Sequence, residues 1–156
     1  LTLTESFERA RSFSANGHMT VALNEALMFM VVKDHLPLDF VEGEGFQCFA
    51  KKCAPLYKVP SRRTFTRMLD AKYELLSSRM RAVFSKVESF NLTADIWTDS
   101  STTQSYLGTT VHFLSQCDMT TALIGVKPLF AAHDSQYIGL MLDEVCQDWE
   151  IPKHKV

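Results

Sequence analysis

The sequence contains no C-x-x-C pair, no apolar run of membrane-spanning length, no internal repeat and no low-complexity tract. Its four cysteines are Cys48, Cys53, Cys117 and Cys146; the close pair Cys48 and Cys53 has no histidine pair nearby to complete a zinc site. Reduced and mostly buried thiols in an intracellular protein are therefore expected. The opening L-T-L-T-E-S-F-E-R lacks the basic-then-apolar order of a signal peptide. The main apolar stretch, V-A-L-N-E-A-L-M-F-M-V-V-K from Val21, is shorter than the about 20 residues of a bilayer span. No membrane partner is expected. Excess charge is missing too: a net charge of -2 argues against strong non-specific polyanion binding by the whole chain.

What is present is enough for a core. The hydrophobic fraction is 46% over 156 residues, about one domain, or one small domain and part of another. Charge is unevenly spread. Residues 1–90 hold 13 Lys/Arg against 10 Asp/Glu, while residues 91–156 hold 3 against 8. Any polyanion is thus expected at the first part, around Lys51, Lys52, Arg62, Arg63 and Arg67. A start without Met and an end on the strand-like Lys155-Val156 are what a piece cut from a longer chain would show.

Up to Val87 the apolar residues recur at helical spacing. Residues 2–13 predict a short amphipathic helix capped by Thr4 and broken at Asn16-Gly17. The run from Thr20 to Lys33 is apolar nearly all round, which predicts a helix buried on most sides, in a core or against a second chain. His35-Leu36-Pro37-Leu38 ends it. A turn at Val41–Gly45, a short helix from Phe46 to before Pro55, and an extended Leu56–Pro60 follow. Ser61 then caps a long helix from Arg62 to about Val87, with Phe65, Met68, Leu69, Tyr73, Leu76 and Phe84 among its apolar set. Arg62, Arg63 and Arg67 sit in its first turns, where the helix dipole disfavours cations; they read either as solvated side chains or as a phosphate-contacting surface.

After Phe90 the period changes to two. Phe90–Trp97, Tyr106–Leu114 and Thr120–Leu129 predict three strands, and the short loops between them favour antiparallel neighbours. Gln116-Cys117-Asp118 forms the second turn. Ser135 or Asp134 caps a helix to about Trp149, with Ile138, Met141, Leu142 and Val145 inward, and Ile151–Val156 leads toward a fourth strand. In the first strand Phe90, Leu92, Ala94 and Ile96 alternate with Asn91, Thr93, Asp95 and Trp97. A carboxylate taken out of water in such a strand needs a metal ion, an arginine or backbone donors. Asp95 is accordingly the candidate site residue. Asp99, in the polar loop after it, needs no such partner. Trp97 reads as core or cleft wall, and His112 and His133 read as structural side chains satisfied by hydrogen bonds.

The strings V-E-G-E-G-F, A-P-L-Y-K-V-P-S-R-R-T, L-T-A-D-I-W-T-D, Y-L-G-T-T-V-H-F, H-D-S-Q-Y-I and D-W-E-I-P-K-H-K-V occur in that order from about Pro37 to Val156. Together they resemble the hAT superfamily of DNA transposases, and especially its domesticated zinc-finger-BED relatives. The resemblance implies an α+β to α/β chain. Residues 1–88 would be a helical dimerisation and DNA-contact segment, and residues 89–156 the first half of an RNase H-like core, stopping before strand four. It implies that Asp95 is the first acid of a three-acid catalytic set whose other two members have no counterpart here. Such sets hold two divalent ions, Mg²⁺ or Mn²⁺, for phosphodiester chemistry. One carboxylate cannot hold the pair, so this chain alone is expected to be inactive and to need no cofactor. Zinc would belong to a BED finger that these residues do not include.

Three functions follow as expectations. The chain belongs to a nuclear, DNA-associated regulator of transcription or chromatin that uses a transposase scaffold without its chemistry. Alternatively it is the front of an active transposase that cuts and joins DNA. A third reading is an interaction module, a homodimer or higher homo-oligomer assembled through the Thr20–Lys33 helix.

Overall fold

The computed structural model describes residues 2–116 and 118–156, so Cys117 and the centre of its turn lie outside the described residues. The chain forms two compact units, Leu1–Glu74 and Leu75–Val156, with the division falling inside one long helix. In order, it carries a set of helices, a three-stranded antiparallel sheet and a final helix, which is a mixed α+β architecture.

The first unit opens with α1 (Leu3–Ser12), capped by Thr2 rather than Thr4. The Thr2 hydroxyl accepts the Glu5 N–H at 3.3 Å, and the Glu5 carboxylate accepts the Thr2 N–H at 2.8 Å. Such a reciprocal cap needs an acid three residues after the hydroxyl; Thr2 has Glu5 there, whereas Thr4 has Phe7. Next comes α2 (His18–Lys33). It ends in a left-handed turn at His35 (φ 53°), where the Leu36 N–H returns to the Val31 carbonyl at 3.0 Å. A 3₁₀ turn (Leu38–Glu42) and α3 (Glu44–Cys53) follow.

Long helix α4 spans Arg62–Phe84. Its start is satisfied twice: Ser61 Oγ accepts the Thr64 N–H at 3.4 Å, and Glu42 Oε1 accepts the Arg62 N–H at 2.8 Å. Leu27 and Val31 of α2 pack with Val41 and Phe65 as the core of this unit. Only that stripe of α2, with Thr20, is buried; Val21, Phe29 and Val32 are exposed. The helix expected to be buried on most sides is therefore covered on one, because its neighbours all approach from the Leu27 side. Cys48 and Cys53 are exposed as well, against the expectation of buried thiols, since Ala50 is the residue of α3 that is buried. Cys146 is buried, and burial pushes its thiol pKa up.

In the second unit α4 stops at Phe84, where tight turns take over: Val87 N–H bonds to the Phe84 carbonyl at 3.1 Å. The strands β1 (Phe90–Thr98), β2 (Ser105–Ser115) and β3 (Asp118–Leu129) form the sheet in that order, both pairs antiparallel. Phe90 lies opposite Phe113 and Asp95 opposite Gly108, and a bulge between Thr109 and Thr110 adds one residue to β3. Helix α5 (Ser135–Asp148) is capped by Asp134, whose Oδ1 accepts the Tyr137 N–H at 2.8 Å. The core face of the sheet packs Phe90, Val111, Phe113 and Ile124 against Val145 and Trp149 of the α5 end and Phe84 of α4.

Lys153–Lys155 closes into a 3₁₀ turn rather than starting a strand. Lys155 Nζ donates to the Val87 carbonyl at 2.7 Å, so a side chain, not a strand ladder, meets the free acceptor there.

Helix α5 ends as α2 does, with Glu150 in the left-handed region (φ 57°) and the Ile151 N–H on the Cys146 carbonyl at 2.8 Å. A side chain with a Cβ is strained there by about 1–2 kcal/mol, partly offset for glycine by its unfolded-state entropy. Glu150→Gly should therefore raise stability by about 0.5–1 kcal/mol, read as a higher urea midpoint at unchanged slope.

Candidate functional site

The strand period assigns β1 two faces. Phe90 and Leu92 point into the core with the α5 side, and Asn91, Thr93, Asp95 and Trp97 stand on the opposite face. Beyond Leu92 the strand is exposed on both faces: β1 is an edge strand, and the cover that buries Thr109 and Leu107 on β2 does not extend sideways over their partners Ala94 and Ile96. Asp95 is thus exposed, and among the described residues it has no ion pair or hydrogen bond through its side chain. This corrects the premise that the carboxylate is withdrawn from water: it needs no buried partner because it keeps its hydration.

Around Asp95 lies an open depression of about 270 Å³, bordered by Thr93, Trp97, Gly108, Thr110, Leu123 and Val126. Its floor is made by a glycine. A Cβ on Gly108 would come within 2.9 Å of Trp97 Cζ3, so the bare backbone lets the indole lie flat across β2. There it stacks on Tyr106, ring centroids 5.7 Å apart and planes 22° from parallel. Beside it, His112 bridges all three strands. Its Nε2 meets Thr93 Oγ1 at 3.0 Å and its Nδ1 meets Thr121 Oγ1 at 3.0 Å, which fits the structural role expected for this histidine. Sequence reading missed the close approach of Trp97 to Gly108, although a lone glycine inside the alternating Y-L-G-T-T-V signals one.

The other acid of the segment is the organised one. Asp99 accepts the Ser101 N–H at 2.9 Å, the Ser101 hydroxyl at 2.8 Å and the Thr102 hydroxyl at 2.8 Å. These donors, the Ser101 backbone first, hold its pKa below the usual carboxylate range. The arrangement is a loop closure, with the Asp99 N–H also on the Gln104 carbonyl at 2.9 Å.

A divalent ion that prefers oxygen takes six or more ligands, and a two-ion site needs several carboxylates. Among the described residues no three His, Cys, Asp or Glu side chains come together. Asp95 has hydroxyls, an indole and aliphatic groups beside it, so the residues present do not make such a site.

The five candidate cations all belong to the first unit and are all exposed. Lys51 and Lys52 occupy the last turn of α3, where the helix dipole favours them. Arg62, Arg63 and Arg67 occupy the first turns of α4, where it does not. Arg63 and Arg67 are one turn apart on the same side of the helix. None of the five takes part in an ion pair among the described residues.

No family model matches the chain. It is similar to zinc finger BED domain-containing protein 6 of Homo sapiens, 30% identical over 117 residues, which is 73% of this chain and 12% of that protein. It is also similar to zinc finger BED domain-containing protein 6 of Mus musculus, 31% identical over 111 residues, 69% of this chain and 11% of that one. The chain thus spans roughly an eighth of the length of the curated relatives it matches.

Two outcomes follow from this geometry. Gly108→Val should push the indole off β2: of the two indole N–H signals in an NMR spectrum, that of Trp97 should move and that of Trp149 stay. Asp99 has a folded pKa below its unfolded one, so its contribution is present above the unfolded value and disappears as pH falls through the lowered one. Asp99→Asn should accordingly flatten the decline of the urea midpoint below about pH 4.

Proposed function

We propose that this chain is part of a nuclear, DNA-associated regulator of transcription or chromatin, built on a scaffold descended from a hAT transposase. The observation that carries the reading is the likeness to proteins named for a zinc finger BED domain, extending over 73% of the chain. The order of elements agrees with it: helices, then three antiparallel strands, then a helix, as an RNase H-like core would begin. The first acid of that core would be Asp95.

DNA meets the first unit in this reading. Exposed arginines at the start of α4 stand where they oppose the helix dipole, so helix stability does not account for them, and their clustering within two turns supports a role in phosphate contact. Lys51 and Lys52 extend the same role. With a single acid at the open face, the chain itself holds DNA and does not cut it. One observation favours the alternative of an active transposase: the Asp95 carboxylate is exposed and unpaired, free to join acids that these residues do not supply.

Fluorescence anisotropy with duplex DNA over a salt series tests the reading. Changing Arg62, Arg63 and Arg67 together to alanine should weaken binding and lower the salt slope by about 0.9 for every DNA phosphate no longer neutralised. Asp95→Asn should leave binding unchanged. An unaltered salt slope in the triple variant would remove the proposed DNA surface. Nicking of a plasmid in Mg²⁺ or Mn²⁺, abolished by Asp95→Asn, would favour the enzyme instead.

A further inference from the structure

Phe84 and the end of α5 close one face of the sheet over Val111, Phe113 and Ile124. On the other face the register brings together Asp95 and Trp97 of β1, Tyr106 and Gly108 of β2, and Leu123 and Val126 of β3. Leu123 is 64% exposed and Val126 47%. Among the described strand residues, Asp95 is the one Asp, Glu, Lys or Arg on this face. Asp118 and Lys127 lie opposite Ser115 and Leu107, in the core-side register, and Lys127 Nζ meets Asp148 Oδ2 of α5 at 2.8 Å. An apolar face with one unmatched carboxylate lacks a cation.

The depression around Asp95 has the parts to hold one. Gly108 admits the indole and Tyr106 stacks on it, yet Trp97 keeps 41% of its surface exposed at the border of the depression. Residues two apart on a strand stand about 7 Å apart on one face. That gap takes a single ammonium, with the carboxylate at hydrogen-bond distance on one side and the indole on the other. The ring then lies within the about 6 Å over which it attracts a cation. Leu123 and Val126 supply an aliphatic wall.

We propose that this depression binds the dimethylated ammonium of a lysine side chain presented by a partner polypeptide. The count of donors selects among cations. A guanidinium brings five N–H groups and an unmodified lysine three, against one carboxylate and an aliphatic wall. The Thr93 hydroxyl beside them is already bonded to His112. A dimethylammonium brings one N–H, which the Asp95 carboxylate accepts, and two methyl groups, which Leu123, Val126 and the indole cover. It leaves no donor facing an apolar group, where each unmet one is costly. The site lies in the second unit and uses Asp95 as it stands, so it rests neither on the DNA surface of the first unit nor on further acids.

The test is an NMR titration of the whole chain with Nα-acetyl-Nε,Nε-dimethyllysine amide, and separately with its unmethylated counterpart, each to about 20 mM at low salt. The Trp97 indole N–H signal should move to saturation with a dissociation constant of about 1–5 mM, while that of the buried Trp149 stays. The unmethylated compound should bind at least about fivefold more weakly. Asp95→Asn should weaken binding about tenfold. Trp97→Leu, followed through the Gly108 amide, should abolish it, and Trp97→Phe, which keeps a ring, should fall between; an unmoved Trp149 signal reports the fold in both. A Trp97 signal that stays still to the end of the titration overturns the proposal. So does an unmethylated compound that binds as tightly, or an Asp95→Asn chain that binds as before.

Discussion

The second unit depends on one phenylalanine. Phe84, at the last turn of α4, packs its ring against those of Phe90 of β1, Phe113 of β2 and Trp149 after α5, at centroid distances of 5.4, 5.3 and 5.8 Å. It is the point at which helix, sheet and helix meet. Emptying such a position costs about 3–5 kcal/mol, against a total stability of about 5–15 kcal/mol for a domain of ordinary size. Trp149 adds its indole N–H to the Ile124 carbonyl beside the bulge, so the same cluster also fixes where β3 departs from regular pairing. Arg81 lies over the outer side of that indole, 5.5 Å from the ring, and donates to the Asp148 carbonyl at 3.0 Å.

Much of this is legible as periodicity. The change from a 3.6-residue to a two-residue repeat near Phe90 marks the passage from α4 to β1, and each strand is readable to within two residues because its inward set is apolar at alternate positions. Extent is not legible. Alternation in F-N-L-T-A-D-I-W reveals two faces but not how far along them the opposing helix reaches. Here burial on this edge strand ends at Leu92, and Ala94 and Ile96 are exposed with Asp95 although their β2 partners Thr109 and Leu107 are buried. The same gap explains α2, whose all-round apolar sequence says nothing about the number of neighbours it will find. At the start of α1 the hydroxyl alone does not choose between Thr2 and Thr4; the acid three residues on does, and it selects Thr2.

Charge separates the candidate residues by unit. Exposed cations stand in the first unit, whereas the carboxylate stands in the second, in a sequence region with a clear acidic excess. Asp95 and Asp99 are four residues apart and differ in kind. One is hydrated and unoccupied by neighbours, the other is committed to closing a loop. A count of acids in D-I-W-T-D would treat them alike; their hydrogen bonds do not.

The hydrogen bond from Lys155 to the Val87 carbonyl has a topological consequence. Two positions separated by 68 residues in sequence touch, so the whole sheet and α5 form one long loop tied at its ends by a side chain and a carbonyl. Closing a loop of that length costs chain entropy before any contact repays it, which makes such a tie slow to form compared with the local hairpins inside it.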